Sequence, residues 1–376
     1  LSAVNAALAS TGKASRRQRE LPAHVVVYYT IAMALYMEVS TCEVLRCLLE
    51  AIRWLKGPLA QVKVTGKSGI SQARTRLGWE PVMALHDDVV HPIARRGTRG
   101  AWYRSFRVVS VDGSTLDTAD ERGNAETFGK PSASRGVSAF PQLRFVSLVE
   151  NGTHVLFGTR MGGVRTGENT LAREVLPFLD ETMLCLADRG FYGFALWRLA
   201  AGTGAQLLWR VKGNMQLERL RPFSDGSFLS AIYPTAKDRR RRTSGVGVRV
   251  VEYRLLGAGS GAGETYRLIT SLTDPGDAPA RELAALYAQR WEIESAFDEL
   301  KTHLRGRGIV LRSKTPDLVR QEFYGLLLAH YAIRGLMHEA ALEADEDPDR
   351  ISFIHAVRVL RRRLPQFAAT PPSGTA

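Results

Sequence analysis

Three acidic residues, far apart along the chain, stand in settings that suit metal-assisted chemistry. Asp112 follows the apolar run Arg107-Val108-Val109-Ser110-Val111, and Asp188 follows Met183-Leu184-Cys185-Leu186-Ala187. Both runs read as buried strands, and catalytic groups collect at strand ends in open α/β sheets. Either motif alone is satisfied by an ordinary turn, which Asp-Gly makes readily. Together, two carboxylates at the ends of two strands of one sheet can converge on a divalent cation. Oxygen-only ligation of that kind suits Mg²⁺ or Mn²⁺.

The third acid, Glu294, belongs to a helix. At about 100° per residue, Tyr287, Arg290, Glu294 and Lys301 fall within an arc of about 60°. Leu286, Ile293, Phe297 and Leu300 lie beside that arc as a core stripe. A solvated helix scatters its charges more widely. Two cations flanking a carboxylate, with an aromatic hydroxyl at one end, suit metal and phosphate bound side by side.

These residues need a scaffold, and the sequence predicts one in five parts. Residues 1–104 read as helical, with the apolar segment Val25–Met37, a helix from Glu43 to Leu55, and a helix capped by Ser68. That last helix carries Ser71, Gln72, Arg74 and Arg76, as a helix-turn-helix reader would; an amphipathic helix with a solvated basic face accounts for this segment, taken alone, slightly better. Residues 105–212 alternate strands and helices, with strands at Leu143–Val149 and His154–Thr159 joined by a turn at Asn151-Gly152. The expected fold is α/β, a mixed sheet with helices on its faces. A β-rich insertion spans 213–270, with a basic run at Arg239–Arg242 and a glycine-rich turn at Gly257–Gly263. Helices return in 271–345, from Pro279 to about Leu304 and from Pro316 to about Ala344; 346–376 holds a C-terminal helix and a tail containing Pro371 and Pro372.

Composition points to the partner. The 376 residues carry 51 Lys plus Arg against 38 Asp plus Glu, a net charge of +13, which favours a polyanion such as nucleic acid. Arg210 and Lys212, alternating out of a strand, are candidates to meet it. The three cysteines, Cys42, Cys47 and Cys185, contain no CxxC, so no disulfide framework is expected and the usage fits a reducing cytosol. No HxxxH or HxH occurs among the eight histidines, so a zinc site is not expected; His330 and His338 read as core or surface residues. Val25–Met37 falls short of the roughly 20 residues of a membrane span. The chain opens on Leu1 instead of Met, so an upstream start is expected, and no secretory signal is visible.

The run Tyr287-x2-Arg290-x3-Glu294-x6-Lys301 has the spacing of the signature written YREK. With the two aspartates, in Val111-Asp112-Gly113-Ser114 and Ala187-Asp188-Arg189-Gly190, it resembles the DDE transposases of the insertion-sequence-four family over roughly residues 15–345. The resemblance implies a ribonuclease-H-like core interrupted by the β insertion, and a helical N-terminal DNA-binding domain. It implies that Asp112, Asp188 and Glu294 hold two Mg²⁺ or Mn²⁺ ions, with Asp112 shared. It implies cut-and-paste transposition through a hairpin intermediate, by hydrolysis and strand transfer on double-stranded transposon ends and target DNA. A homodimer in a synaptic complex, acting in the bacterial cytoplasm, follows from the same likeness.

Tyr287, Arg290 and Lys301 would then hold the DNA backbone, and Arg74 and Arg76 would serve the N-terminal reader. Tyr266, with Trp209 as the second choice, would be the platform for a flipped base; a half-buried strand tyrosine accounts for Tyr266 equally. One departure is Asp298, four residues past Glu294, where some relatives place a DNA-touching lysine; it reads as a satisfied surface acid. Rival readings are a catalytically inactive DNA-binding protein derived from a transposase, and a stand-alone ribonuclease-H-like nuclease.

Overall fold

The structure, a computed structural model, describes residues 1–15, 21–51, 65–133, 136–254 and 265–367. The end of the expected Glu43–Leu55 helix, the turn at Gly257–Gly263 and the Pro371-Pro372 tail lie outside the described residues.

The N-terminal part folds into α1 (Ser2–Ser10), α2 (Ala23–Leu35), α3 (Thr41–Ala51), α4 (Lys67–Leu77) and α5 (Glu80–Val89). Gly66, not Ser68, occupies the N-cap of α4, so Ser68 lies within its first turn and caps nothing. The sheet follows, with β1 (Trp102–Tyr103), β2 (Phe106–Asp117), α6 (Arg122–Phe128), a small hairpin of β3 (Ser132–Ala133) and β4 (Gly136–Val137), β5 (Gln142–Glu150) and β6 (Val155–Gly163). Next come α7 (Glu168–Val175), β7 (Met183–Ala187), α8 (Phe194–Ala201) and β8 (Gln206–Arg210). β9 (Arg221–Pro222), β10 (Phe228–Ile232), α9 (Ala236–Arg241), β11 (Val246–Arg254) and β12 (Thr265–Thr270) form the insertion. The chain ends in α10 (Ala280–Ala288), α11 (Glu292–Asp298), α12 (Pro316–Ala344) and α13 (Phe353–Phe367).

The sheet runs β6-β5-β2-β7-β8-β12-β11-β10-β9, with β1 paired to β2 off this path. β5 and β6 are antiparallel neighbours, whereas β7 and β8 run parallel to β2. Numbered along the chain, β2, β5, β6, β7 and β8 therefore lie in the order 3-2-1-4-5, which is the ribonuclease-H-like arrangement. The insertion does not make a sheet of its own. β12 pairs antiparallel with β8 through Ile269↔Trp209, so the insertion's strands continue the central sheet.

Helix α12 organises the far side of the sheet. Its middle is buried on nearly every face, through Phe323, Tyr324, Leu326, Leu327 and His330. It meets α2 where Gly325 faces the backbone of Thr30: a Cβ on Gly325 would lie 2.6 Å from the Thr30 carbonyl oxygen. Only a residue without a side chain permits that approach. Among the described residues no helix is long and apolar enough to cross a membrane.

Two glycines of α12 make a controlled comparison. Gly325→Ala should lower unfolding free energy by about 1–3 kcal/mol through overpacking. Gly335, where an added Cβ meets nothing within 4 Å, should instead gain up to about 1 kcal/mol as Ala. Denaturant unfolding of both variants checks the sign of each.

Candidate active site

The sheet brings two of the acids together. In the parallel pair of β2 and β7, Val111 is in register with Ala187. Asp112 and Asp188 are thus the next residues along adjacent strands; Asp188 directly follows the end of β7, but β2 continues to Asp117, so Asp112 lies within its strand and not at the expected strand end. The Gly113 N–H donates to Asp112 Oδ1 at 2.8 Å, fixing the carboxylate against its own backbone.

The helical stretch from Ala280 to Leu304 faces them. It is not one regular helix: α10 passes through a 3-10 turn at Gln289–Trp291 into α11, then into a π-helical turn at Glu299–Leu304. The expected face nevertheless meets β2 and β7. Arg290 Nη1 lies 3.2 Å from Asp112 Oδ2, and Lys301 Nζ donates to Ser114 Oγ at 3.0 Å. The Tyr287 hydroxyl donates to the Ala187 carbonyl at 3.3 Å, with Asp188 Oδ1 at 3.4 Å. Glu294 is exposed, one turn beyond Arg290 on α11.

The β5–β6 turn clamps the same stretch from behind. Asn151 Nδ2 donates to the Gln289 carbonyl at 2.9 Å, and the Gly152 N–H to Glu292 Oε2 at 2.7 Å. Gly152 has a φ of +79°, and a Cβ there would lie 2.8 Å from the Ala101 nitrogen, so glycine is required.

Asp112 is largely buried, with the carboxylates of Glu168 and Asp188 near it. Burial raises the Asp112 carboxyl to about 6, and Glu168 and Asp188 add to the rise against the opposing pull of Gly113 N–H and Arg290. A divalent cation would relieve that excess, and the donors are all carboxylate oxygens, so these residues fit such an ion. Asp112, Asp188 and Glu294 do not close to the 4.8 Å mutual spacing that the group His154, Glu292 and Asp349 reaches. Asp112 instead rests on Arg290, and Asp188 on Tyr287 and Arg210, whose Nη1 is 3.7 Å away. Burial lowers the Lys301 ammonium, with Arg305 adding to the effect.

Glu168 escaped the sequence reading. Standing in the first turn of α7, it packs so closely on β2 that a Cβ on Gly113 would lie 2.8 Å from its Cδ. Only its position at a helix start after the third strand could have drawn attention to it.

Other expected residues sit elsewhere. Arg74 is not a DNA contact: its guanidinium is buried and donates to Gln321 Oε1 at 2.7 Å, Ser313 Oγ at 3.0 Å and the Leu318 carbonyl at 3.0 Å. Arg76, two residues on, is exposed, as is Lys212. Trp209 is fully buried and packs edge-on against Trp197, 5.4 Å between centroids, so it offers no platform. Tyr266 stacks on Tyr253 at 5.3 Å across one strand pair, and the Arg210 guanidinium lies 4.0 Å over its ring from the other. Trp291, beside Arg290, is 55% exposed. Tyr287 is buried and turned into the sheet, so it braces Asp188 and does not face solvent. Asp298 is a surface acid whose Oδ2 lies 3.4 Å from His303 Nε2.

The family model described as "Transposase DDE domain" matches residues 103–332, and the one described as "Insertion element 4 transposase N-terminal" matches residues 1–87. The chain is 27% identical over 375 residues to "Transposase InsG for insertion sequence element IS4" of Escherichia coli (strain K12), covering 98% of this chain and 82% of that protein. A solved piggyBac transposase synaptic complex with hairpin DNA aligns with a TM-score of 0.47 and 12% identity, over 98% of this chain and 79% of that one.

The raised Asp112 carboxyl makes a stability prediction. A folded value of about 6 against an ordinary 3.8 means that ionising Asp112 costs the native state. Stability present below about pH 4 is therefore lost as pH rises through about 6. In metal-free buffer at pH 7.5, Asp112→Asn should be more stable than the parent by about 1–3 kcal/mol. The gain should vanish at pH 4, as measured by urea unfolding.

Proposed function

We propose a metal-dependent cut-and-paste reaction for this chain, which belongs to the DDE-domain transposase family. It is a transposase, it binds DNA, and its family depends on divalent metal. In the proposed reaction Asp112, Asp188 and Glu294 hold a pair of Mg²⁺ or Mn²⁺ ions. The observation that carries this reading is the facing of one helical stretch onto two adjacent strands: Arg290 meets Asp112 within β2, and Tyr287 meets Asp188 just past β7.

Bound there, two ions supply activation of a water and stabilisation of the leaving 3′ oxygen. The protein's own side chains do the rest. Asp112 and Asp188 are fixed by neighbouring strands, so their separation changes little as DNA arrives. Tyr287 keeps the Asp188 carboxylate oriented without adding charge. Lys301, half-buried beside Ser114, can take the phosphate being cut, and Arg290, buried against Asp112, can turn its guanidinium fork to that phosphate once a cation takes over the carboxylate. Lys212 and Arg76, both exposed, add contacts to the backbone further out, where charge neutralisation dominates affinity.

The N-terminal helices of 1–104 read the transposon end, and the insertion 213–270 approaches the DNA near the cut. Cleavage proceeds through a hairpin, with the enzyme acting as a homodimer in a synaptic complex in the cytoplasm. Trp291 is the better base platform: its ring is 55% exposed with the Arg290 guanidinium 5.0 Å from its centroid, whereas Tyr266 is stacked on Tyr253 and has Arg210 closer, at 4.0 Å.

Asp188→Ala and Glu294→Ala should each abolish Mg²⁺-dependent cleavage of a transposon end while binding it with near-normal affinity. Full cleavage by either variant removes that residue from the site. Lys212→Ala and Arg76→Ala should each reduce the salt slope of end binding by about one unit. Trp291→Ala should nick normally but form hairpins about tenfold or more slowly, from the roughly 1–3 kcal/mol of lost stacking. Normal hairpinning by Trp291→Ala returns the platform to Tyr266.

A further inference from the structure

Behind the helix that carries Glu294 lies a second group of metal-type ligands. His154, at the end of the β5–β6 turn, Glu292, in the first turn of α11, and Asp349, just before α13, each present a ligand atom within 4.8 Å of the others. The histidine comes from residue 154 and the acids from 292 and 349, so no spacing motif in the sequence could announce them.

The imidazole is held as a metal ligand would be. Its Nδ1 lies 3.1 Å from Glu299 Oε1. Glu299 also accepts from Arg334 Nε at 2.8 Å and lies 3.2 Å from His330 Nε2; these partners hold its carboxyl far below the usual carboxylate range. A permanently ionised carboxylate is the strongest acceptor available to Nδ1–H. The ring's other nitrogen then carries a lone pair. Histidine ligands of metals show this arrangement, with one nitrogen donating to a carboxylate and the other free to coordinate.

Nε2 behaves as that assignment requires. The His154 side chain is 7% exposed, and Nε2 is buried with no hydrogen-bond partner. Asp349 Oδ1 stands 3.4 Å away, too far for the well-made bond expected if Nε2 carried a proton. Arg334 Nη2 also abuts Nδ1. In the opposite tautomer Nδ1 accepts from it and Nε2–H faces Asp349, so the two tautomers give different ligands at the same point: a cation or a proton. The unmade bond at Nε2 favours the cation.

We propose that His154, Glu292 and Asp349 bind one divalent transition cation, of the Zn²⁺ or Mn²⁺ type, separate from the ions of the DDE acids. One imidazole nitrogen with two carboxylates suits such ions better than Mg²⁺, which prefers oxygen alone. The cation ties the β5–β6 turn and the segment before α13 to the helix two residues from Glu294. Its role is to brace that helix, and no bond is made or broken at it.

The test uses the full chain with Asp112→Ala and Asp188→Ala, so that the DDE acids do not contribute. Co²⁺ serves as the probe, titrated into metal-stripped protein and followed by visible absorption, calorimetry and thermal unfolding. One equivalent should bind with d–d bands, without the thiolate charge-transfer band that binding at Cys42 or Cys47 would give, and raise the unfolding midpoint. Asp349→Asn, an isosteric change at a position 37% exposed, should weaken that binding about tenfold or more, as should Glu292→Gln and His154→Ala. The proposal is overturned by no stoichiometric Co²⁺ binding by the triad-depleted chain, or by binding that Asp349→Asn and Glu292→Gln leave unchanged. A ¹⁵N spectrum showing Nε2 protonated in the presence of excess Co²⁺ also overturns it and assigns the proton. Loss of cleavage in the DDE variants has no bearing on these readouts, so the two sites fail or stand independently.

Discussion

A carboxylate fixed near the middle of a half-buried strand has to be answered by positive charge, and Arg290 answers Asp112. That contact sets the register between β2 and the stretch 280–304, and much of the molecule serves to hold it. Lys301 repeats the pairing one face further along, on Ser114. The β5–β6 turn fastens the other side through Asn151, Gly152 and His154, which meet Gln289, Glu292 and Glu299 in order. Arg334 of α12 then closes on Glu299 from the core. The helix that carries Glu294 is thereby held from both sides, as the precise positioning proposed for that carboxylate demands.

The continuity of the sheet carries the same logic outward. Because β12 pairs with β8, a row of side chains runs across adjacent strands from Tyr253 through Tyr266 and Arg210 to Asp188. Contacts made by the insertion can therefore be felt at the second aspartate through directly packed neighbours. An insertion on a flexible stalk would have no such row.

The parts legible in the sequence were those with strong local grammar. The apolar runs before Asp112 and Asp188 declared two strands, and Pro316 opened a helix of the expected length. The polar arc of Tyr287, Arg290 and Lys301 turned out to face the sheet even though the backbone departs from a regular α-helix there. What the sequence hid was depth and distant pairing. Arg74 looks like a surface cation until Gln321 and Ser313, more than two hundred residues on, receive it. Trp209 has the type of a base platform, but its strand lies in the interior of the sheet. Glu168 is an unremarkable helix-start acid until β2 is laid against it. Residue type states what a side chain can do, whereas its neighbours decide whether it is free to do it.

The pairing of Arg74 with Gln321 also has a consequence in time. The two are 247 residues apart, and Thr30 waits longer still for the face of α12 that holds Gly325. Synthesis at about 5–20 residues per second puts roughly 12–50 s between the emergence of Arg74 and that of its acceptors. During that interval the N-terminal helices are on offer to chaperones with an uncompensated guanidinium and an open apolar face. The helical part of this protein is thus finished last, although it is made first.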